Sequence, residues 1–476
     1  MTHPSYSQYA KDWIFCRDFY KGEEHVKLQA EKYLPRTMAQ IFDWNATSKE
    51  IPSPDTIGKL SYSRYVQRAG FFDGVRIAVE GYLGMLHRKP PQVTLPEKCA
   101  YLTDKFSATG DNLLTTLRLV NEEQLVTGRC GLLVDVAGNG DPYVAFYNAD
   151  TIVDWHVETT ADEKGQTRFV VLDESGYRVN GLTRTYVSEY RHLVLHNGVY
   201  KFGVSNSAEP GAIPVEQLVT FSYKGQTLNQ IPFTFINIKD NSVDVDKPPL
   251  LPVASKCATI YRTEADYRQT LHQQGQDTLV VKSLASSQVP GAGAPSVRVG
   301  TGAMIEVEFQ GDAKYIGASS TGLPEQRLAI TNDKMEAMQL AGQLAQTTNN
   351  KEESGASLST RLGTQTSILQ QIANTGAQGL AKCCRIIAGL LGANEQDVNI
   401  VPNNEFIFVT FLGQDLLTIV QAIKEGAPLS AKSIHRLCQQ RGLTVMSFED
   451  EQTEMSANPI ATLQEPENKS TTIPGV

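Results

Sequence analysis

Apolar residues recur every three or four positions through the first part of the chain. This spacing puts them on one face of a helix, and it predicts helices over residues 5–45, 62–87 and about 111–126. Asp111 is a suitable N-cap for the third helix, and Pro90-Pro91 stops the second. The chain therefore opens with a helical section.

Between residues 129 and 240 the spacing changes to alternation and short apolar runs, which is the pattern of half-buried and buried strands. Gly138-Asn139-Gly140-Asp141 has the composition of a tight turn between the first two strands. Strands are predicted at Leu132–Val134, Tyr143–Tyr147, Phe169–Leu172, Tyr186–Tyr190 and Leu193–Leu195.

Two long helical patterns follow Pro248-Pro249, over residues 250–274 and 324–346. The section 277–320 between them differs, because it contains short apolar runs and a stretch rich in glycine and proline. This order predicts a stalk of two helices that carries a small β-containing knob. The knob's predicted parts are strands at Leu279–Val281 and Met304–Phe309 and the loop Pro290-Gly291-Ala292-Gly293-Ala294-Pro295.

A polar loop, residues 347–357, precedes a further long helix over residues 358–391. Glycines inside that helix mark a bend or a close contact with a neighbouring element, because glycine is unfavourable in a helix interior. Taken together, the patterns predict an α+β protein. The remaining features are the glycines Gly363, Gly376 and Gly379, a strand at Glu405–Phe411, helices at 414–424 and 430–441 with Ser430 as a cap, and an acidic, disordered stretch from Glu449 onward.

Composition and charge narrow the class of protein. Of the 476 residues, 41% are hydrophobic, which is enough for several packed units. The formal net charge of −9 disfavours tight binding in a DNA groove, which requires a basic surface. The seven cysteines are expected to be reduced and mostly buried. Because the longest apolar stretch, near Ile386–Leu391, is too short to span a bilayer and the N-terminus has no signal pattern, we expect a soluble protein that is not exported.

No motif predicts catalysis. Gly128-Arg129-Cys130-Gly131 leads from a helix into a strand, whereas a nucleophile elbow leads from a strand into a helix. Glu306 and Glu308 share one face of a predicted strand, where a solvated or subunit-contacting surface is the ordinary interpretation. The sequence contains no Walker motif. We therefore expect no catalytic residue, no cofactor and no metal ion, and a protein that is not an enzyme.

A set of short segments occurs in a fixed order along residues 3–390. The segments are His3-Pro4, Arg17-Asp18, Tyr33-Leu34-Pro35, Gly128–Asp135, Tyr147–Trp155, Ile231-Pro232-Phe233, Pro248–Leu251, Ala265-Asp266-Tyr267 and Leu271-His272. In this order they resemble a bacteriophage portal protein, in particular a portal group long catalogued only as a domain of unknown function. Ile260 is a departure from that group, in which a histidine is expected before Tyr261.

The resemblance implies a portal fold, in which twelve copies of the subunit form a ring around a channel. Each subunit would have a wing, a long-helix stem, a small β-containing clip and a helical crown. The implied parts are the wing 1–247, stem helices 248–276 and 322–346, the clip 277–321, the tunnel loop 347–357, the long wing helix and strand 358–412, the crown 413–451 and a disordered tail 452–476.

The function that the resemblance implies is a portal at one vertex of a virion capsid, assembled in the host cytoplasm, through which double-stranded DNA is packaged and ejected. The implied partners are further copies of the chain, the terminase large subunit, a head-tail adaptor, and the capsid and scaffolding proteins, with no membrane contact. Two alternatives remain open. One is another virion structural protein, such as a capsid or adaptor subunit, and the other is a nucleic-acid-processing hydrolase.

Candidate site residues follow from the same resemblance. On the residues alone, the polar loop is a solvated loop and the charges of the second stem helix form a solvated face. In a portal, the loop charges would face DNA, the stem charges are candidates to face the channel, and the clip loop would bind partner proteins. These residues are Lys351, Glu352 and Glu353 in the loop, Asp333, Lys334 and Glu336 on the stem helix, and Pro290, Gly291, Gly293 and Pro295 in the clip.

Overall fold

The structure is a computed structural model, and it divides the chain into two units, Met1–Phe406 and Ile407–Val476. Its mixture of helices and antiparallel sheets confirms the predicted α+β class. The residues that it describes are 2–47, 55–138, 140–159, 164–275, 278–282, 312–316, 322–342 and 355–406 in the first unit, and 421, 425, 430–440, 444 and 446–457 in the second.

The N-terminal section is helical, as the sequence predicts, but its helices are shorter. The pattern over 62–87, predicted as one helix, belongs to two helices that are separated after Arg68, because Ala69 has a non-helical ψ of 126°. The interruption directs Phe71 into the core, where its ring centroid lies 5.9 Å from Phe19 and 6.0 Å from Tyr261. The helices are α1 Pro4–Lys21, α2 Glu23–Leu28, α3 Met38–Phe42, α4 Ile57–Arg68, α5 Gly74–Leu86 and α6 Leu113–Val126.

Asn112, and not Asp111, caps α6. Its side chain accepts a hydrogen bond from the backbone N–H of Thr115 at 2.7 Å. Asp111 instead accepts hydrogen bonds from the hydroxyls of Ser107, at 2.9 Å, and Thr109 in the preceding turn. Because Asn and Asp cap helices about equally well, the sequence could not decide between these neighbours.

The β region after α6 contains two antiparallel sheets and a separate hairpin. The three-stranded sheet has the order β11-β2-β3, and the five-stranded sheet has the order β10-β9-β8-β5-β4. The turn predicted at 138–141 falls between the paired strands β2 and β3, and Asn139 lies outside the described residues. The strands are β1 Gln92–Thr94, β2 Arg129–Val136, β3 Pro142–Asn148, β4 Ile152–Thr159, β5 Lys164–Asp173, β6 Gly176–Asn180, β7 Thr183–Val187, β8 Tyr190–His196, β9 Val199–Ser205, β10 Val219–Thr220 and β11 Phe233–Asn237.

The strand predicted at Tyr186–Tyr190 is wrong, because β7 ends at Val187 and β8 begins at Tyr190. Hydrogen bonds of Glu189 with Glu174 and Ser175 keep the residues between β7 and β8 out of either strand. The backbone N–H of Glu174 donates to the carbonyl of Glu189 at 2.8 Å, and the N–H of Glu189 donates to Ser175 Oγ at 3.0 Å. The sequence does not predict β4, β9, β10 or β11, which complete the two sheets.

The predicted stalk helices are present, and the described part of the knob is a two-stranded sheet. Its first strand confirms the prediction at Leu279–Val281, and its partner is the strand at Asp312–Ile316. Residues 304–309, predicted as the second strand, lie outside the described residues. The elements are α7 Leu251–Gln274, β12 Thr278–Lys282, β13 Asp312–Ile316, α8 Leu323–Gly342 and α9 Gly355–Leu390.

The long helix α9 begins at Gly355, earlier than predicted, so residues 355–357 belong to the helix and not to the polar loop. Ala356 has the highest helix propensity, and small residues are readily accepted at the start of a helix. Farther along, a Cβ on Gly376 would lie 2.5 Å from Oδ1 of Asn121, and one on Gly379 would lie 2.3 Å from Ile236. These two glycines therefore mark close contacts with α6 and β11.

The core of the first unit lies where α6 and α9 cover the three-stranded sheet. Its buried side chains come from both helices and from the sheet, so helices and sheet stabilise each other. Among them are Leu117 and Val120 of α6, Leu132 and Leu133 of β2, Ile236 of β11, and Leu380 and Ile387 of α9.

After α9 the chain adds β14 at Asn399–Val401, which pairs with β1, the strand between α5 and α6. A strand was predicted at Glu405–Phe411, of which the structure describes Glu405 and Phe406. The prediction is wrong for these two residues, because neither is in a strand. Asn403 turns the chain there, since its Nδ2 donates to the carbonyl of Met85 at 3.1 Å and its Oδ1 accepts from the N–H of Glu405 at 2.9 Å.

In the second unit, α10 at Ala431–Gln440 confirms the helix predicted at 430–441. Ser430 caps it, because its hydroxyl accepts a hydrogen bond from the N–H of Ser433 at 3.2 Å. The helix predicted at 414–424 lies almost entirely outside the described residues.

The disorder predicted from Glu449 onward is wrong as far as residue 457, because Phe448–Ala457 forms helix α11. Three carboxylates, Glu449, Asp450 and Glu451, occupy its first turn, where the partial positive charge of a helix start favours them. Ser447 caps this helix by accepting a hydrogen bond from the N–H of Asp450 at 3.2 Å. Residues 458–476 lie outside the described part of the chain.

Candidate functional site

Of the residues that the sequence singles out, the structure describes those on the second stem helix, Asp333, Lys334 and Glu336, and places all three on α8. The remaining candidates lie outside the described residues: Lys351, Glu352 and Glu353 of the loop, and Pro290, Gly291, Gly293 and Pro295 of the clip. The candidate site is therefore built from α8 and the helix that pairs with it.

Helices α7 and α8 run antiparallel. Tyr267, near the end of α7, lines one depression together with Leu323 and Arg327, at the start of α8. Lys256, near the start of α7, contacts residues in the second half of α8. The buried residues of α8 are Ile330 and Ala337 alone, so most of this helix remains exposed in the single subunit.

Two of the three candidate charges are paired with Lys256 of α7. The ammonium of Lys256 lies 2.8 Å from Oε2 of Glu336 and 3.3 Å from Oδ1 of Asp333. These hydrogen bonds raise the pKa of Lys256 above its ordinary value. Because the pairs are partly exposed, they fix the register of the two helices more than they stabilise them.

The third candidate charge, Lys334, donates a hydrogen bond of 2.7 Å to Oε1 of Glu264 on α7. Glu264 is buried and also accepts a 3.2 Å hydrogen bond from Arg268. Burial by itself would raise the pKa of Glu264, but the hydrogen bonds from Lys334 and Arg268 hold it below its ordinary value. Glu264 therefore remains charged and joins the middle of α7 to α8.

The exposed face of α8 carries an apolar stripe. Leu328, Met335 and Met338 are 55%, 51% and 58% exposed, and their spacing of seven and three residues places them on one side of the helix. Thr331 lies on the same side, and its hydroxyl donates to the carbonyl of Arg327 at 2.9 Å, so it offers a methyl group outward. A continuous exposed stripe of this kind is typical of a protein contact.

An apolar groove continues from this stripe to α5. It has a volume of about 210 Å³, and it is lined on α5 by Ile77, Ala78 and Gly81 and on α8 by Ala337 and Met338. The small residues allow the two helices to approach, which leaves the larger Ile77 and Met338 at the edge of the groove. The groove and the stripe share Met338, so together they form one apolar surface on α8.

Several of the segments that carry the sequence resemblance, among them those with Arg17 and Asp150, meet at one junction in the first unit. Arg17 donates to both oxygens of Glu123, at 3.0 and 2.7 Å, and to Oδ1 of Asp150 at 2.7 Å. Burial lowers the pKa of Arg17, but the two carboxylates outweigh this effect and raise it above its ordinary value. This cluster joins α1 to α6 and to the turn before β4.

Sequence reasoning did not identify Glu123. The signal for it was present, because Glu123 occurs among the apolar positions of α6, beside Leu125 and Val126, where an unpaired carboxylate would be costly. A buried acidic residue in such a pattern indicates a cationic partner elsewhere in the chain, although the sequence does not say which one.

Aromatic rings complete the junction. His3 stacks on Trp155 with ring centroids 3.9 Å apart. The guanidinium of Arg129 is fully buried, 4.1 Å from the ring of Trp155 and 4.6 Å from that of Phe235. Burial lowers the pKa of Arg129 to about 9. The arrangement is a packed structural joint and contains no nucleophile paired with a base.

The part of the chain that the structure describes contains neither a metal-binding cluster nor a membrane-spanning helix. No group of three or more His, Cys, Asp or Glu residues there could hold a metal ion. None of the described helices has the length and apolar character needed to cross a membrane. The cysteines are free and buried, as predicted, except for Cys438, which is half-buried.

Comparison with known proteins gives three findings. A family model described as "Domain of unknown function (DUF4055)" matches residues 249–390, a stretch that includes α7 and α8 and ends with α9. No curated protein has a matching sequence. Two similar solved structures are described as "Neck of empty GTA particle computed with C6 symmetry" (15% identity, 79% of this chain and 92% of that chain covered, TM-score 0.40) and "Virion of native gene transfer agent (GTA) particle" (14% identity, 84% and 97% covered, TM-score 0.40).

Proposed function

We propose that the chain is the subunit of a bacteriophage portal, a ring at one capsid vertex through which double-stranded DNA is packaged and ejected. The observation that carries this proposal is the order α7, β12–β13, α8, in which two antiparallel helices are connected through a small two-stranded sheet. In the sequence resemblance this order corresponds to stem, clip and stem. The family match covers residues 249–390, the stretch that contains this order of elements.

The exposed surfaces of the stem helices favour assembly with further copies. On the outward side of α7, the hydroxyl of Thr259 donates to the carbonyl of Ser255 at 3.1 Å, and that of Thr263 donates to the carbonyl of Thr259 at 3.0 Å. Since these hydroxyls are already satisfied, the face can pack against another helix without losing hydrogen bonds. The apolar stripe of α8 on a neighbouring subunit is a surface of the kind that would cover it.

Ring assembly is the first testable consequence. Purified protein should form a species with a mass near twelve times that of the 52.3-kDa chain in light scattering, and negative-stain images should show a ring with a central hole. Met335→Glu should weaken this assembly, because it places a charge in the middle of the apolar stripe and burying it would be costly.

Ala329→Glu is the matched control, because it adds the same charge to an exposed position of α8 that lies about 100° or more around the helix from each residue of the stripe. This variant should assemble like the unaltered chain. A protein that remains monomeric at high concentration and across a range of salt concentrations would count against the portal proposal itself.

We also propose that residues 347–354, the part of the predicted loop that precedes α9, border the DNA path, with Lys351 making brief phosphate contacts and Glu352 and Glu353 keeping those contacts weak. Replacement of both glutamates by lysine should make DNA stick in the channel, most strongly at low salt, because screening weakens exposed charge contacts. The measurement is DNA packaging in vitro with variant procapsids across a salt series.

A control with the same change of charge at Glu97 and Glu395, two exposed positions of the first unit, should package normally. Equal packaging by the loop variant and this control at every salt concentration would exclude the loop from the DNA path.

The proposal further assigns the clip, with Pro290, Gly291, Gly293 and Pro295, to binding the terminase large subunit and the head-tail adaptor. Channel-facing roles of Asp333, Lys334 and Glu336 remain a prediction.

A further inference from the structure

The hairpin β6–β7 projects from the five-stranded sheet without being part of it. Its two strands pair only with each other, with Tyr177 opposite Tyr186 and Val179 opposite Arg184. Five residues of strand extend about 17 Å, so the hairpin reaches well beyond the sheet. An isolated two-stranded hairpin is marginally stable in water, which makes a covering partner favourable.

The base of this hairpin is held firmly. Ser175 Oγ accepts from the N–H of Glu189 at 3.0 Å, and Oδ1 of Asp173 accepts from the N–H of Ser175 at 2.9 Å. Glu174 accepts a hydrogen bond of 2.6 Å from the hydroxyl of Tyr147, and it forms an ion pair of 3.0 Å with Arg191. The hairpin is therefore an extended arm on a fixed base.

One face of the arm has the composition of a binding surface. Directly opposite residues share a face, so Tyr177, Val179, Arg184 and Tyr186 lie together. All four are exposed, and Leu182 at the tip is fully exposed. Tyrosine and arginine dominate the energetic centres of protein interfaces, and an apolar tip suits a recessed partner surface.

Charge points to a protein partner and not to nucleic acid. Residues 176–187 contain two arginines and no acidic residue, in a chain with a net charge of −9. Arg178 is paired with Glu189 of the same chain, which leaves Arg184 as the cation of the arm without an ion pair among the described residues. Affinity for a phosphate backbone depends on neutralising several phosphates, which one free arginine does not do.

The same chain offers a recessed surface of complementary character. The groove between α5 and α8 is apolar, and it is continuous with the α8 stripe through Met338. Of the acidic residues on the two helices, Glu80 is exposed and lies three residues after the lining residue Ile77, so it shares that side of α5, whereas Glu336 is paired with Lys256 of α7. A closed ring uses heterologous contacts, in which a projecting surface of one subunit meets a different, recessed surface of the next.

We infer that the β6–β7 hairpin is an assembly arm that binds the α5–α8 groove of a neighbouring copy of the chain. Leu182 enters the groove, the tyrosines cover its edge, and Arg184 faces Glu80. This inference rests on the proposed ring and adds to it the surface by which one subunit recognises the next.

The first experiment compares assembly of full-length variants. Leu182→Asp combined with Arg184→Glu should raise the concentration needed for assembly by about tenfold or more in light scattering, because the tip becomes charged and the arginine is reversed. Thr185→Glu, on the opposite face of the same strand, is the matched control and should assemble normally. Since these side chains are exposed, thermal unfolding should be unchanged in both variants.

Cysteine cross-linking tests the receiving groove. The variant for this experiment carries Leu182→Cys and Ile77→Cys. The half-buried Cys438 is changed to Ser so that it does not form cross-links of its own. Oxidation should produce a ladder of covalent species longer than a dimer, whereas either cysteine alone should give dimers at most.

The absence of a ladder, or unaltered assembly of the Leu182/Arg184 variant, would overturn the inference. Rings that form normally in that variant would leave the portal proposal intact, whereas a chain without any ring would count against that proposal.

Discussion

Replacement of Glu123 by Ala should lower the free energy of unfolding by about 3 kcal/mol, because it leaves buried partners without their acceptor. Glu123 accepts hydrogen bonds from Arg17, from the hydroxyl of Thr127 at 2.8 Å and from the N–H of Ala149 at 3.3 Å. In this variant Arg17 is still paired with Asp150. The expected loss of unfolding free energy therefore lies at the lower end of the range for a broken buried ion pair. Urea unfolding followed by tryptophan fluorescence measures it, since Trp13, Trp44 and Trp155 all belong to the first unit.

Glu122→Ala provides a control on the same helix. Glu122 is half-buried and accepts one hydrogen bond of 2.9 Å from the hydroxyl of Tyr20, so its removal should cost about 1 kcal/mol. Glu123→Gln should fall between the two, because the amide keeps the shape and part of the hydrogen bonding. Equal losses for Glu122→Ala and Glu123→Ala would show that the cluster around Arg17 contributes little to stability.

Replacement of Gly379 by Ala should also destabilise the first unit, by about 2 kcal/mol, although alanine is the better helix former. The added Cβ would lie 2.3 Å from Cδ1 and 2.6 Å from Cγ1 of Ile236, which is fully buried on β11. One of the two elements must shift to relieve this overlap. The same urea titration measures the effect.

Two further variants make this prediction specific. Gly84→Ala on α5 should stabilise the protein, by up to about 1 kcal/mol, because a Cβ there meets no atom within 4 Å. Combining Gly379→Ala with Ile236→Ala should cost less than the sum of the single changes, since the new methyl group occupies space that isoleucine vacates. Strict additivity of the two losses would contradict the proposed overlap.

The long helices could be predicted from the sequence, because their pattern is local. In α7, α8 and α9 the apolar positions recur at helical spacing over many turns, and neighbouring residues in the chain decide that spacing. The same pattern placed Asp333, Lys334 and Glu336 on α8. It did not predict that Lys256 and Glu264 of α7 bind them, because the register between two helices depends on both surfaces at once.

Pairings between distant parts of the chain were decided by the tertiary structure. The sequence predicted β2 but not β11, which pairs with it across about a hundred residues, and it did not predict the strands that complete the five-stranded sheet. A short apolar run is compatible with several neighbours, and only the assembled core selects one of them. The interruption between α4 and α5 has the same origin, since it depends on the contacts of Phe71 with Phe19 and Tyr261.

The sequence by itself therefore determined the α+β class, the long helices and the position of a small β-containing knob between α7 and α8. Only the tertiary structure decided that Arg17 meets Glu123 and Asp150, that Gly379 lies against Ile236, and that β6–β7 extends away from the sheet. The physical reason is that hydrophobic spacing records which face of an element is buried. The identity of the group that covers this face depends on the packing of the whole chain.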